Sequence, residues 1–240
     1  MNPALTIAKK EYDLSLRNVT TYIIFVIYLV ATGLYFAQTV FKVGLAEMRG
    51  VFTIMHLLFL FYIPAITMGS VSRETSSGTF ELLSTLPIRT GHIIWGKFLA
   101  AFMLLATALM FTLVYVMLLA VYGTGIDYGA IFTGYLGLLF AGAAYIGIGI
   151  FASTLSPNQV LSFIVALAIS ALFYITRYVS MALSDSAAGV IDIFSFDHHL
   201  QNFMRGVLDT REILFFVAVL YVFTFLARLR LQSRNMMQER

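Results

Sequence analysis

From Tyr128 to Thr176 the chain carries no Asp, Glu, Lys or Arg. A helix needs only about 20 apolar residues to cross a hydrocarbon core, so this run is too long for one crossing. The polar turn Ser153-Thr154-Leu155-Ser156-Pro157-Asn158-Gln159 divides it, because proline and small polar residues favour a turn. Two spans result, about Ala130–Phe151 and Val160–Ser180. Four further apolar stretches fit the same measure: about Thr21–Phe41, Val51–Ser70, Gly96–Val121 and Ile213–Leu231. Pro64 lies inside the second and predicts a bend there. The last is short in its uncharged part, so Arg228 and Arg230 are expected to extend outward from it.

Composition supports that reading. Hydrophobic residues make up 60% of the 240 and charged residues only 11%, whereas soluble domains are near half apolar and a quarter charged. The expected fold class is all-α, a polytopic membrane protein with six spans in a single domain over residues 1–240. Six spans leave no room for a soluble catalytic domain. The absence of cysteine excludes disulfides and thiol-based metal or redox sites. The net charge of +3 is ordinary for a chain whose Lys and Arg gather on one side, and points to the lipid bilayer rather than to nucleic acid. Lys9, Lys10, Glu11, Asp13 and Arg17 precede the first apolar run, which argues against a cleavable signal.

Residues 3–17 alternate at helical spacing, with Leu5, Ala8, Tyr12 and Leu16 on one side and Lys9, Lys10 and Asp13 on the other. This predicts an interfacial amphipathic helix before the first span. Residues 184–212 mix Asp185, Asp192, Asp197, His198, His199, Arg205, Asp209, Arg211 and Glu212 with apolar neighbours, predicting an amphipathic segment at an interface. In span four, Ala143 with Gly147 and Gly149 with Ser153 form small-xxx-small pairs that permit close helix approach. Glycine simply tolerated in a membrane helix is the equal alternative.

With six spans, both termini share a side. That side and its loops hold Lys9, Lys10, Arg17, Arg73, Arg89, Lys97, Arg228, Arg230, Arg234 and Arg240; the other holds Lys42, Arg49, Arg177, Arg205 and Arg211. The positive-inside bias puts the termini, the Arg73–Lys97 loop and the Ser153–Gln159 turn in the cytoplasm. The expected location is a bacterial or archaeal cytoplasmic (inner) membrane.

The most distinctive polar stretch is Ser72–Pro87, within the coupling loop 72–97. Gly78 is placed as an N-cap, with Glu81 three residues on as in a capping box and favourably near the helix N-terminus. Pro87 stops the helix, and Phe80, Leu83 and Leu86 form an apolar ridge. Thr90 is expected to cap a second helix, Gly91–Lys97. The ridge suits either a soluble partner or the protein's own spans.

The pattern Glu74…Gly78-Thr79-x-Glu81-Leu82-Leu83-x-Thr85-x-Pro87-Ile88, followed by Gly96-Lys97, resembles the first cytoplasmic loop of ABC-type-2 transporter permeases. The resemblance implies that Glu74, Gly78, Thr79, Phe80, Glu81, Leu82, Leu83 and Pro87 dock a separate cytoplasmic ATP-binding subunit. It also implies a second permease chain, in a homodimer or heterodimer. No G-x-x-x-x-G-K-[ST] loop occurs, so no cofactor is expected in this chain, with ATP and Mg on the partner subunit. The stretch Phe196–Asp209 resembles the outer segment of a branch with gliding-motility-associated and nitrous-oxide-reductase-maturation permeases, which suggests that subfamily; an extracytoplasmic partner protein is a further expected partner.

Two rival readings are an ion-coupled secondary transporter and an intramembrane metal-dependent enzyme. The first normally keeps ionisable groups inside its spans, and these spans look almost free of them. The second would draw on His198 and His199 with Asp192 and Asp197. Metal sites need about three convergent ligands, and no H-E-x-x-H helix is present. Neither catalytic nor metal-binding residues are expected.

Overall fold

The computed structural model describes residues 3–42, 47–78, 90–181, 189 and 191–238. Those residues are organised as helices: α1 (Pro3–Leu16), α2 (Val19–Ala37, with a π-helical turn Gln38–Lys42), α3 (Arg49–Thr67), α4 (Gly69–Ser76), α5 (Thr90–Tyr122), α6 (Tyr128–Leu155), α7 (Gln159–Ser180), α8 (Phe196–Met204) and α9 (Thr210–Gln238). Among the described residues, six helical stretches are long and apolar enough to cross a membrane: Val19–Val40, Arg49–Ser76, Thr90–Tyr122, Tyr128–Leu155, Gln159–Ser180 and Thr210–Ser233.

Local chemistry sets several helix starts. Pro3 opens α1, where a missing N–H costs nothing. Asn18 Oδ1 accepts from Thr20 N at 3.0 Å and starts α2; Asp127 Oδ1 accepts from Ala130 N at 3.0 Å and starts α6. Asn158 Oδ1 accepts from Val160 N at 2.8 Å and Leu161 N at 3.3 Å, so the polar turn that divides the charge-free run also caps α7.

Some boundaries lie elsewhere than expected. Helix continues beyond Ser70, with only a turn at Met68 between α3 and α4, so Ser72–Ser76 of the polar stretch are helical. Gly78 follows that helix with φ +71, a left-handed backbone that closes a helix C-terminus. An N-cap residue is extended instead, so the N-cap assignment is corrected. Thr90 caps no separate helix either; Gly91–Lys97 are the first turns of α5 itself.

α6 is the axis of the bundle. In its most apolar window 78% of residues are buried, against 17% in α2. It touches α3, α4, α5, α7, α8 and α9, and its glycines make room for them. A Cβ on Gly134 would lie 2.2 Å from the Phe52 ring, and one on Gly142 would lie 2.2 Å from Leu105. On Gly149 it would meet Thr67 Oγ1 at 2.0 Å, and on Gly137 the Phe203 Cβ at 2.6 Å. Gly147 faces Leu220 of α9, whereas Gly149 faces α3. The small residues of α6 therefore serve several partners around its circumference.

α1 packs along α5. Its buried residues are Ala4 and Ala8, while Leu5 is 60% exposed. Small residues, which allow backbones to approach, face α5, and the larger Leu5 points away from it.

Gly149→Val should lower the thermal unfolding midpoint of the detergent-solubilised protein, at a cost of about 1–3 kcal/mol as expected for overpacking. Gly91, whose Cβ would meet nothing within 4 Å, is the matched control, and Gly91→Ala should leave the midpoint unchanged or raise it slightly.

Candidate functional site

The polar stretch leads to a buried ionic clamp. Lys97, on α5, is 3% exposed. Its Nζ donates to Glu74 Oε1 of α4 at 2.7 Å and lies 3.6 Å from Glu11 Oε1 of α1. The residue before it makes this possible. A Cβ on Gly96 would lie 2.7 Å from Ile7 Cβ and 2.9 Å from the Ala4 carbonyl oxygen, so only glycine admits α1 this closely. Ile7 and Glu11 are one turn apart, and seating Ile7 against Gly96 brings Glu11 to Lys97. Tyr12 completes the α1–α5 contact through a 3.0 Å hydrogen bond between its hydroxyl and that of Thr107. The clamp joins α1, α4 and α5 at the end of the bundle that holds both termini.

Of the expected loop residues, Glu74 and Gly78 fall in this region. Thr79, Phe80, Glu81, Leu82, Leu83 and Pro87 lie outside the described residues. Among the packing residues, Ala143 is 8% exposed, and Ser153 is buried with its hydroxyl donating to the Ile150 carbonyl of its own helix at 2.7 Å. Lys97 was legible as part of the Gly96-Lys97 pattern. Glu11 was not, because its partner lies 86 positions along the chain.

At the opposite end, α8 is no surface helix. Ser195 caps it, and Phe196, Asp197, Leu200, Phe203 and Met204 are all buried against α3, α6, α7 and α9. Arg177 Nη1 of α7 lies 2.9 Å from Asp197 Oδ2, and His56 Nδ1 of α3 lies 3.7 Å from Asp197 Oδ1. His56, with no exposed surface, shares a 3.0 Å hydrogen bond between Nε2 and the Tyr145 hydroxyl. Its ring also lies 5.2 Å from that of Tyr174. The Thr133 hydroxyl donates to the Phe203 carbonyl at 2.6 Å, tying α8 to α6.

α8, which is not a span, brings the ionisable Asp197 into the bundle. The charges come from α8 and from span ends that continue as helix, which hydropathy windows do not reveal. Burial pushes the Asp197 carboxyl up, but His56 and Arg177 outweigh it and hold the group below the usual carboxylate range. The stabilisation is therefore present above the ordinary aspartate pKa of about 3.9 and is lost as pH falls through the lowered folded value.

His198 and His199 diverge. His198 is exposed, whereas His199 pairs with buried Glu212 through Nδ1, bonds the Ile193 carbonyl through Nε2 at 2.9 Å, and stacks on Phe215 with centroids 3.9 Å apart. Asp192 accepts from the Ser180 hydroxyl at 2.5 Å. Asp192, Asp197, His198 and His199 thus serve separate contacts. Among the described residues, no three His, Asp or Glu side chains gather as a metal site.

The fold and these ties define a polytopic, all-helical membrane protein. Residues 5–236 match the family of ABC-2 family transporter proteins, nearly the whole chain, and the chain belongs to that family. It is a membrane component of an ABC transporter. No curated protein matches it.

Asp197→Ala leaves the buried His56 and the partly buried Arg177 without their carboxylate. Breaking a fully buried pair costs about 3–5 kcal/mol; with Arg177 partly exposed the loss should be smaller, and the variant should show a lower unfolding midpoint in detergent. His198→Gln, at an exposed position, should change it little.

Proposed function

We propose that the chain is the permease subunit of an ATP-driven transporter, and that a separate cytoplasmic ATP-binding subunit grips the loop following α4. The observation that carries this reading is the clamp of Glu74, Lys97 and Glu11 at the root of that loop. Force applied to the loop reaches α4, and the clamp passes it to α5 and α1 together. A lysine this buried resists separation from its carboxylates, because removing either partner strands a charge in a low-dielectric setting. Closure of the ATP-binding subunits then selects between two packings of the bundle.

Two permease chains, as a homodimer, complete the transporter in this reading, with both termini in the cytoplasm of a bacterial or archaeal cell and the complex in its inner membrane. Export, or force transmitted to an extracytoplasmic partner, is the direction of work. The resemblance of Phe196–Asp209 to the gliding-motility and nitrous-oxide-reductase-maturation branch supports that subfamily.

Phe80→Asp with Leu83→Asp should leave the permease inserted but release the ATP-binding subunit on co-purification. The neutral swap Glu74→Gln with Lys97→Met should keep the subunit bound and lower permease-dependent ATP hydrolysis at least tenfold. Wild-type hydrolysis in that swap would remove the clamp from the coupling route.

Orientation is tested separately with single cysteines in the cysteine-free chain. Substitution at exposed Ser77 should resist an impermeant thiol reagent in intact cells, and substitution at exposed Val207 should label. The opposite pattern reverses the topology.

A further inference from the structure

Beside the clamp lies a cavity of about 380 Å³, bounded by α1, α2, the α3–α4 junction and α5. Its volume falls in the range of small-molecule sites. The wall has two halves. One carries Lys10, Arg73 and Lys97 with Glu11 and Glu74; the other is apolar, formed by residues such as Ile24, Ile66, Ala101 and Leu104. Lys97 is held by the two glutamates, whereas Lys10 and Arg73 form no ion pair among the described residues. The positive charge facing the cavity therefore exceeds the negative. Next to it, α2 presents a broad apolar face, with Tyr22, Ile23, Val26 and Ile27 each more than half exposed.

We propose that this cavity is a binding site for an anionic phospholipid from the leaflet at the termini end. The phosphate-bearing headgroup lies against Lys10 and Arg73, and an acyl chain follows the apolar half toward the exposed face of α2. The two-part lining fits an amphipathic molecule better than a soluble anion, which would leave the apolar half in contact with water. Basic pockets between spans at the cytoplasmic side are suited to acidic headgroups, and α1 adds the amphipathic character of a helix at a membrane surface. A lipid seated here contacts α1, α4 and α5, the same three helices that the clamp joins. The site itself does not depend on the attachment of an ATP-binding subunit.

The test uses the full-length chain in nanodiscs, with native mass spectrometry and a fluorescent phosphatidylglycerol as probe. Phosphatidylglycerol should be retained at least tenfold more strongly than phosphatidylcholine. Lys10→Gln with Arg73→Gln should abolish that preference, while Lys9→Gln, one position away on α1 and outside the cavity lining, should preserve it. Ala101→Leu fills the apolar half without altering charge, and should weaken retention of both lipids. Equal retention of the two lipids by the wild-type chain overturns the proposal. So does unchanged preference in the Lys10/Arg73 variant. Displacement of the probe by excess inorganic phosphate or glycerol 3-phosphate overturns the lipid assignment in favour of a free anion. Lys10→Gln alone, at an exposed position of α1, guards against a folding defect in the double variant and should reduce the preference partially; an unchanged preference with an unchanged unfolding midpoint removes Lys10 from the site.

Discussion

Close approach to α6 is the constraint on which the bundle depends. In lipid no hydrophobic force drives helices together, because the solvent is as apolar as the side chains; packing and polar ties must hold the spans. Glycines around α6 let Phe52, Thr67, Leu105 and Phe203 reach its backbone, so α3, α5 and α8 can share one axis. Its burial against nearly every other element follows from that circumference of small residues. α2 and α7 have no such role and leave most of their surface outward.

Polar ties then fix what packing alone would leave adjustable. At the termini end the clamp of Lys97 with Glu74 and Glu11 joins three helices. At the other end Asp197, Arg177, His56 and Tyr145 hold α8 within the bundle. Each tie carries buried charge, which costs desolvation and is retained only where the partners are close.

The buried charges also bear on the contrast with ion-coupled transport. Charge within the bundle is compatible with either class, since Asp197 and Arg177 neutralise each other and anchor a short helix. Family membership across residues 5–236 decides the class. The ionic groups are then understood as structural ties within an ABC transporter component.

The sequence by itself determined the membrane class and the six crossings, because hydropathy over about 20 residues is a local property and the bilayer imposes a fixed length. It also marked the dividing turn Ser153–Gln159 and the polar stretch from Ser72, for the same local reason; that Asp127 and Asn158 cap α6 and α7 came from the structure. Only the tertiary structure decided what lies opposite what. The meeting of Glu11 with Lys97 needs the close seating of Ile7 on Gly96, and the pairing of Asp197 with Arg177 and His56 needs α8 to fold inward among α3, α6 and α7. Periodicity shows that a helix has a charged face; it does not show whether that face meets water or a counter-charge. That choice is made by helices distant in sequence, and it is where the electrostatics of this protein reside.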